Sequence, residues 1–138
     1  MSDTLVDANI LIDIFAADDR WQDWSARQLA TARRTGELII NPIIYAEVAA
    51  SFPTQRKLDE ALGVERYKRE ALPWEAAFNA GRAFLAYRRS GGLKRSPLPD
   101  FYIGAHADVQ GYCLLTRDSA RYRQAFPALK IISPETHP

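Results

Sequence analysis

Short, fully apolar runs recur along the chain, and the stretches between them carry apolar residues at helical spacing. Thr4-Leu5-Val6 ends at Asp7 and predicts a buried strand. Ile10, Leu11, Ile14 and Phe15 then fall at i, i+1, i+4 and i+5, predicting a helix over 8–17. Asp18-Asp19 interrupt it, and a second helix is expected over 20–34, closed near Gly36. Residues 37–40 predict the next strand. Asn41-Pro42 is a helix start, with asparagine as cap and proline at the first helical position, and the helix is expected to reach Phe52 before Pro53. Further helices are predicted over 54–62 and 73–89, with a short strand over 68–72 between them. A loop over 91–99 leads to a helix opened by Asp100 and ending near Gly111. A strand over 112–116, a short helix over 119–126 and a last strand over 130–132 complete the pattern. Short apolar strands alternating with helices indicate an α/β domain whose parallel sheet is covered on both faces.

Composition narrows the class. A length of 138 residues suits one domain, expected to span 1–138, and 47% hydrophobic residues suffice for a core. The single cysteine, Cys113, excludes an internal disulfide framework and a cysteine-rich zinc site, and its place in a strand predicts a core role. No apolar run approaches the roughly 18 residues that cross a bilayer, and Met1-Ser2-Asp3-Thr4 lacks the basic start of a secretory signal. The expectation is a cytoplasmic protein without a membrane association. The formal charge of +1 argues against a polybasic protein, but it conceals an asymmetry. Residues 1–75 carry 9 basic and 13 acidic side chains, whereas residues 76–130 carry 9 basic and 3 acidic. Arg82, Arg88, Arg89, Lys94 and Arg95 lie between Ala76 and Pro99 with no acid among them, which fits either a solvated helix face and loop or an anion-binding surface.

In an open parallel sheet, ligands bind beyond the carboxyl ends of the strands. Acidic residues recur at that location. Asp7 directly follows the first strand, Asp118 follows the 112–116 strand by two residues, Asp100 occupies a first helical turn, and Glu47 lies in the second turn of the helix after the second strand. Asp7, Asp100 and Asp118 could each be helix caps, and Glu47 an edge residue or an arginine partner. Glu47 is the least ordinary of them, because it falls on or beside the stripe of Ile43, Ile44 and Val48, where a carboxylate is costly unless paired or bound to a cation. Two carboxylates about 4 Å apart repel by roughly 4 kcal/mol at an effective dielectric near 20. An all-oxygen ligand set without histidine or cysteine selects a hard ion, Mg²⁺ or Mn²⁺. Such an ion activates water, and the neighbouring basic segment supplies charge for phosphate, so phosphodiester hydrolysis is the leading chemistry.

Four blocks carry a family resemblance. They are Val6-Asp7-Ala8-Asn9-Ile10-Leu11-Ile12-Asp13, Ile44-Tyr45-Ala46-Glu47-Val48, Pro99-Asp100-Phe101-Tyr102-Ile103-Gly104-Ala105-His106-Ala107 and Leu114-Leu115-Thr116-Arg117-Asp118. In this order the chain resembles PIN domains, in particular the VapC-type toxins of toxin–antitoxin pairs; Arg121-Tyr122-Arg123 with Phe126-Pro127 and a closing Ile131-Ile132-Ser133-Pro134 also resemble that group. The resemblance implies a three-layer α/β/α sandwich with a central parallel sheet. It further implies a divalent metal, Mg²⁺ or Mn²⁺, endonucleolytic cleavage of single-stranded RNA, a homodimer, and neutralisation by a VapB-type antitoxin. Asp7, Glu47, Asp100 and Asp118 fall on the acidic positions of that family, Asn9 on its polar position and Thr116 on its small hydroxyl. The expected roles are Asp7 and Asp100 as principal metal ligands, Glu47 holding the metal or orienting water, and Asp118 completing the site or holding a second ion. Asn9 and Thr116 would fix carboxylate rotamers.

Arg88, Arg89, Lys94 and Arg95 are candidate RNA-backbone contacts, and Phe101 and Tyr102 are candidate stacking residues whose alternative is core packing. Asp13 matches no catalytic position and reads as a partner for a nearby base or as a surface group, and His106 reads as a packing residue. Two alternatives stand beside this reading. A haloacid-dehalogenase-like phosphatase also places Asp after its first strand, but needs a second Asp where this chain has Asn9. A catalytically idle PIN-like domain that binds RNA or a partner would keep the fold without the chemistry.

Overall fold

The three central strands are short and wholly buried. In the computed structural model, which describes residues 2–91 and 98–138, every residue of β1 (Thr4–Val6), β2 (Leu38–Ile40) and β4 (Cys113–Leu115) is buried. The edge strands β3 (Lys68–Arg69) and β5 (Ile131–Ile132) have two residues each. All neighbours pair in parallel, in the order β3-β2-β1-β4-β5. Continuous apolar strands are what a parallel sheet sandwiched between helices requires. From β1 the chain steps outward to β2 and β3, then returns to the other side of β1 for β4 and β5. Right-handed crossovers therefore place α1 (Ala8–Phe15), α2 (Gln22–Thr35), α3 (Pro42–Ala49) and α4 (Gln55–Leu62) on one face. The same rule places α5 (Trp74–Arg89), α6 (Leu98–Gln110) and α7 (Ala120–Arg123) on the other. The α/β/α sandwich is thus present.

The large core holds Leu5, Ile10, Leu11, Ile39, Ile44, Leu58, Ile103, Leu114 and their neighbours, while a smaller cluster of Ala76, Ala80, Phe101, Ala105 and Phe126 joins α5 to α6. Phe101 is consequently core, not an exposed stacking platform, and Cys113 is buried in β4. Gly104 permits the closest approach in this layer: a Cβ there would lie 2.5 Å from Phe126 Cε2 and 3.0 Å from Tyr122 Cδ1. Among the described residues, no helix is long and apolar enough to cross a membrane.

Element identities follow the sequence pattern, and the differences are at the ends. Helix α3 stops at Ala49 rather than Phe52, because Ser51 and Phe52 donate to carbonyls three residues back and tighten the chain into a turn. Helix α7 is a single turn, shorter than the 119–126 expectation. Helix α6 begins at Leu98, so Asp100 stands inside its first turn and is not its cap; Pro99 is tolerated there because first-turn amides need no helical acceptor. Of the loop expected over 91–99, residues 92–97, including Lys94 and Arg95, lie outside the described residues.

A polar network ties the second face to the sheet. Asn41 caps α3 by accepting from Ile44 N at 2.9 Å, which orients its amide nitrogen toward His106 Nδ1 at 3.0 Å. His106 Nδ1 therefore accepts and Nε2–H donates to Glu70 Oε1 at 2.8 Å. Glu70 also accepts from Gln110 Nε2 at 3.1 Å and, through Oε2, from Tyr112 OH at 2.7 Å. His106 is fully buried, as a packing role requires, but it packs through hydrogen bonds.

Candidate functional site

The connections reverse direction between β1 and β4, and the crevice beyond their carboxyl ends is the switch point of the sheet. Asp7 emerges from β1 at this point, with its amide donating to Leu115 O of β4 at 2.9 Å. It is both the cap of α1 and a member of the crevice. Asp7 Oδ1 accepts from Ala8 N at 2.8 Å, and Oδ2 accepts from Thr116 Oγ1 at 2.8 Å and from Tyr122 OH at 2.9 Å. Thr116 Oγ1 can donate to Asp7 because it accepts from Asn9 Nδ2 at 3.3 Å and from Asp118 N at 3.0 Å. Asn9 in turn receives Arg117 N at 3.2 Å. The start of α1 and the turn after β4 are thereby locked around one carboxylate.

Burial pushes the Asp7 carboxyl up against the downward pull of Thr116, Tyr122 and Ala8. Asp100, buried in the first turn of α6, is also raised, by desolvation first; Arg121 opposes this and Asp7 and Asp118 add to it. Glu47 is exposed as a residue, contrary to its place beside the apolar stripe, because α3 presents that position at the rim. Its carboxyl is nonetheless pushed up to about 7, by desolvation and then by the charges of Asp7 and Asp100, with Arg121 opposing. Partial exposure and partial desolvation coexist there, so solvent screens the group and no large energy attaches to it. The Tyr122 phenol is raised well above its ordinary value by burial and by Asp7, and so remains a donor.

Three acids thus meet a common electrostatic problem, and Asp118 joins them through Arg121. The Arg121 guanidinium donates from Nη1 to Asp100 Oδ2 at 2.9 Å and pairs through Nε with Asp118 Oδ2. Arg121 and Tyr122 are functional neighbours to which sequence reasoning gave no site role. The available signals were the i, i+3 spacing from Asp118 and an aromatic residue inside an otherwise polar turn. Asp13, in contrast, is sealed: 2% exposed, it accepts from Arg117 Nε at 2.6 Å, Arg117 Nη2 at 3.0 Å and Ser25 Oγ at 2.9 Å. Arg88 and Arg89 close α5 on the exposed surface.

The donor set is all oxygen. Among the described residues, no three His, Cys, Asp or Glu side chains form a ready-made cage. Oxygen donors without histidine or cysteine are the chemistry of a hard ion such as Mg²⁺, which keeps several waters and takes one or two carboxylates, rather than of zinc. Raised, crowded carboxylates are the groups that such a cation would relieve.

The PIN domain profile matches residues 4–127. No curated protein sequence matches the chain. Among solved structures, the fold is similar to VapBC2 from Rickettsia felis bound to a DNA fragment from its promoter, with a TM-score of 0.72, 15% identity, and coverage of 95% of this chain and 98% of that one. FitAcB from Neisseria gonorrhoeae gives a TM-score of 0.69 at 17% identity over 96% of this chain and 98% of that chain. A toxin–antitoxin complex from Klebsiella pneumoniae gives 0.62 at 24% identity, over 95% and 97% respectively. At these identities the likeness is one of fold.

Proposed function

This chain belongs to the PIN-domain family, and from that premise we propose that it is a cytoplasmic, Mg²⁺- or Mn²⁺-dependent endoribonuclease that hydrolyses phosphodiester bonds in single-stranded RNA. The observation that carries the proposal is the buried Asp7 carboxylate, held by three hydrogen bonds at the switch point and raised together with Asp100 and Glu47. The bound cation would supply Lewis-acid polarisation of a phosphoryl oxygen and activation of water. Asp7 and Asp100 would hold it, with Glu47 and Asp118 completing the set. Glu47, at the rim, would also orient the attacking water. Thr116, Asn9 and Tyr122 hold the Asp7 rotamer, which keeps one ligand preorganised. Arg88 and Arg89, with Lys94 and Arg95, would supply backbone contacts to RNA.

The biological role in this reading is the toxin of a type II toxin–antitoxin pair, working as a homodimer with a VapB-type antitoxin as partner. Support comes from the structural neighbours, among them a toxin–antitoxin complex from Klebsiella pneumoniae, whose matched chain is covered over 97% of its length. The test is cleavage of single-stranded RNA by the purified chain with Mn²⁺, silenced by EDTA and lost in Asp7→Asn. Growth arrest on induction, relieved by the neighbouring antitoxin, tests the biological role. Metal-independent RNA binding without cleavage would instead support an idle PIN-like domain, and turnover of a phosphomonoester but not RNA would support a phosphatase.

A further inference from the structure

We propose that Arg121 is a resident cation of the carboxylate crevice: it occupies Asp100 and Asp118 while the divalent ion is absent, and is released by that ion to hold the RNA phosphate. The inference rests on the nuclease reading above and adds a residue and a coupling to it. Arg121 binds one oxygen of each of two carboxylates, Oδ2 of Asp100 through Nη1 and Oδ2 of Asp118 through Nε. Its charge also acts on Asp7 and Glu47, so a single guanidinium answers all four acids. Among the described residues no other Lys or Arg forms an ion pair with these four. An incoming divalent ion would draw on the same two carboxylates, and its charge would repel the guanidinium that already pairs with them.

Arg121 is also built to leave. Its side chain is 49% exposed, projects from a one-turn helix, and makes one contact to each acid rather than a two-pronged grip on either. Arg117 shows the opposite design within the same turn region: two contacts to the one buried Asp13, 29% exposure, and the guanidinium 5.3 Å from the Trp21 ring centroid. Arg121 also lines a cavity of about 330 Å³, together with Ala83, Tyr87, Phe101, Gln124 and Ala125, which offers room for a displaced side chain. A guanidinium freed beside the crevice is a strong charge-assisted donor for a phosphodiester oxygen. Ligand coupling of this kind is reciprocal: whatever binds Arg121 strengthens metal binding, and metal strengthens phosphate binding.

Calorimetry of Mn²⁺ binding to the full metal-free chain at pH 8 tests the first half. Arg121→Gln is expected to bind Mn²⁺ roughly tenfold more tightly than the unaltered protein, a size typical of coupled sites, with Arg121→Lys between them. Fluorescence anisotropy with a short nuclease-resistant 2′-O-methyl phosphorothioate RNA tests the second. Mn²⁺ should tighten binding by several-fold more in the unaltered protein than in Arg121→Gln. A merely structural role predicts the reverse for the metal, a weaker affinity together with a lower melting temperature. Equal or weaker Mn²⁺ affinity in folded Arg121→Gln and Arg121→Lys, while the unaltered chain binds the ion, overturns this inference and leaves the nuclease reading standing. No Mn²⁺ binding by the unaltered chain overturns both.

Discussion

Two clusters of polar side chains lie on this sheet, and they answer the cost of burying a carboxylate in opposite ways. Around Glu70, every partner is a donor: His106 Nε2, Gln110 Nε2 and Tyr112 OH converge on its two oxygens, with the Lys68 ammonium 3.8 Å from Oε2. Desolvation pushes Glu70 up, but these hydrogen bonds outweigh it and hold its carboxyl below the usual range. In the crevice beyond β1 and β4, Asp7, Asp100 and Glu47 are all raised: burial is the first cause for each, the charge of Asp7 adds to it at Asp100, and those of Asp7 and Asp100 add to it at Glu47. The first cluster is closed and stabilises the fold. The second has Arg121 as its ion-pair partner, and under the proposed function a divalent cation would supply the remaining positive charge. The location of a raised set of acids, not acidity itself, distinguishes a site from a strut.

The largest expected effect breaks the second cluster. Asp100→Asn and Asp7→Asn should each lower Mn²⁺-dependent RNA cleavage by at least about a hundredfold, the upper end of what loss of a mere supporting contact costs. Circular dichroism and the melting temperature of Asp100→Asn should remain close to those of the unaltered protein. Full metal-dependent cleavage by both variants would place the chemistry elsewhere.

Breaking the closed cluster should do the reverse. His106→Ala leaves the buried Asn41 Nδ2 without its partner, at about 1–3 kcal/mol, removes one of the two donors to Glu70 Oε1, which keeps Gln110, and opens a cavity where the ring packed. We expect a loss of roughly 2–4 kcal/mol in urea unfolding, with Mn²⁺ affinity of the folded protein changed far less than in Asp100→Asn. Destabilisation below about 0.5 kcal/mol would mean that the network is not a strut.

Its pH dependence sharpens the contrast. A carboxyl lowered in the fold contributes stability above its unfolded value, near 4.3, and that contribution disappears as pH falls through the folded value. Glu70→Gln should therefore be less stable than the unaltered protein at pH 7, by about 1 kcal/mol. The gap should narrow as the pH is lowered below about 4. A gap that is constant between pH 3 and pH 7 would remove charge from the explanation of this cluster.

Both clusters were unequally legible in the sequence. The apolar runs at 4–6, 38–40 and 113–115 announced the central strands because burial on both faces demands unbroken hydrophobicity. The Asn41-Pro42 start of α3 was readable because capping chemistry is local. Helix ends were less readable, since the α6 start and the shortening of α7 depend on packing across layers. Asp7, Glu47, Asp100 and Asp118 could be singled out by their positions at element ends. Arg121 and Tyr122 could not, because their roles arise from α7 packing on α6, an approach that Gly104 permits and that brings the Tyr122 hydroxyl to Asp7. Glu70 and His106 stand 36 positions apart, and nothing in the local pattern of either points to the other.

The smallest prediction asks whether the crevice is strained by its own charge. Glu47 has no hydrogen-bond partner among the described contacts and lies under the charges of Asp7 and Asp100. Neutralising it as Glu47→Gln removes that repulsion without removing a hydrogen bond, so the metal-free protein should become more stable, by less than about 1 kcal/mol because the residue is exposed. Saturating Mn²⁺ should reverse the order, since the unaltered protein then gains more from the ion than the variant does. Melting curves of both proteins, with and without Mn²⁺, give the four values needed. Stabilisation in the metal-free state that turns into a deficit with metal identifies Glu47 as a charge kept for binding at the expense of the fold. A Glu47→Gln protein less stable under both conditions would place Glu47 among the struts, and the two clusters would no longer differ in kind.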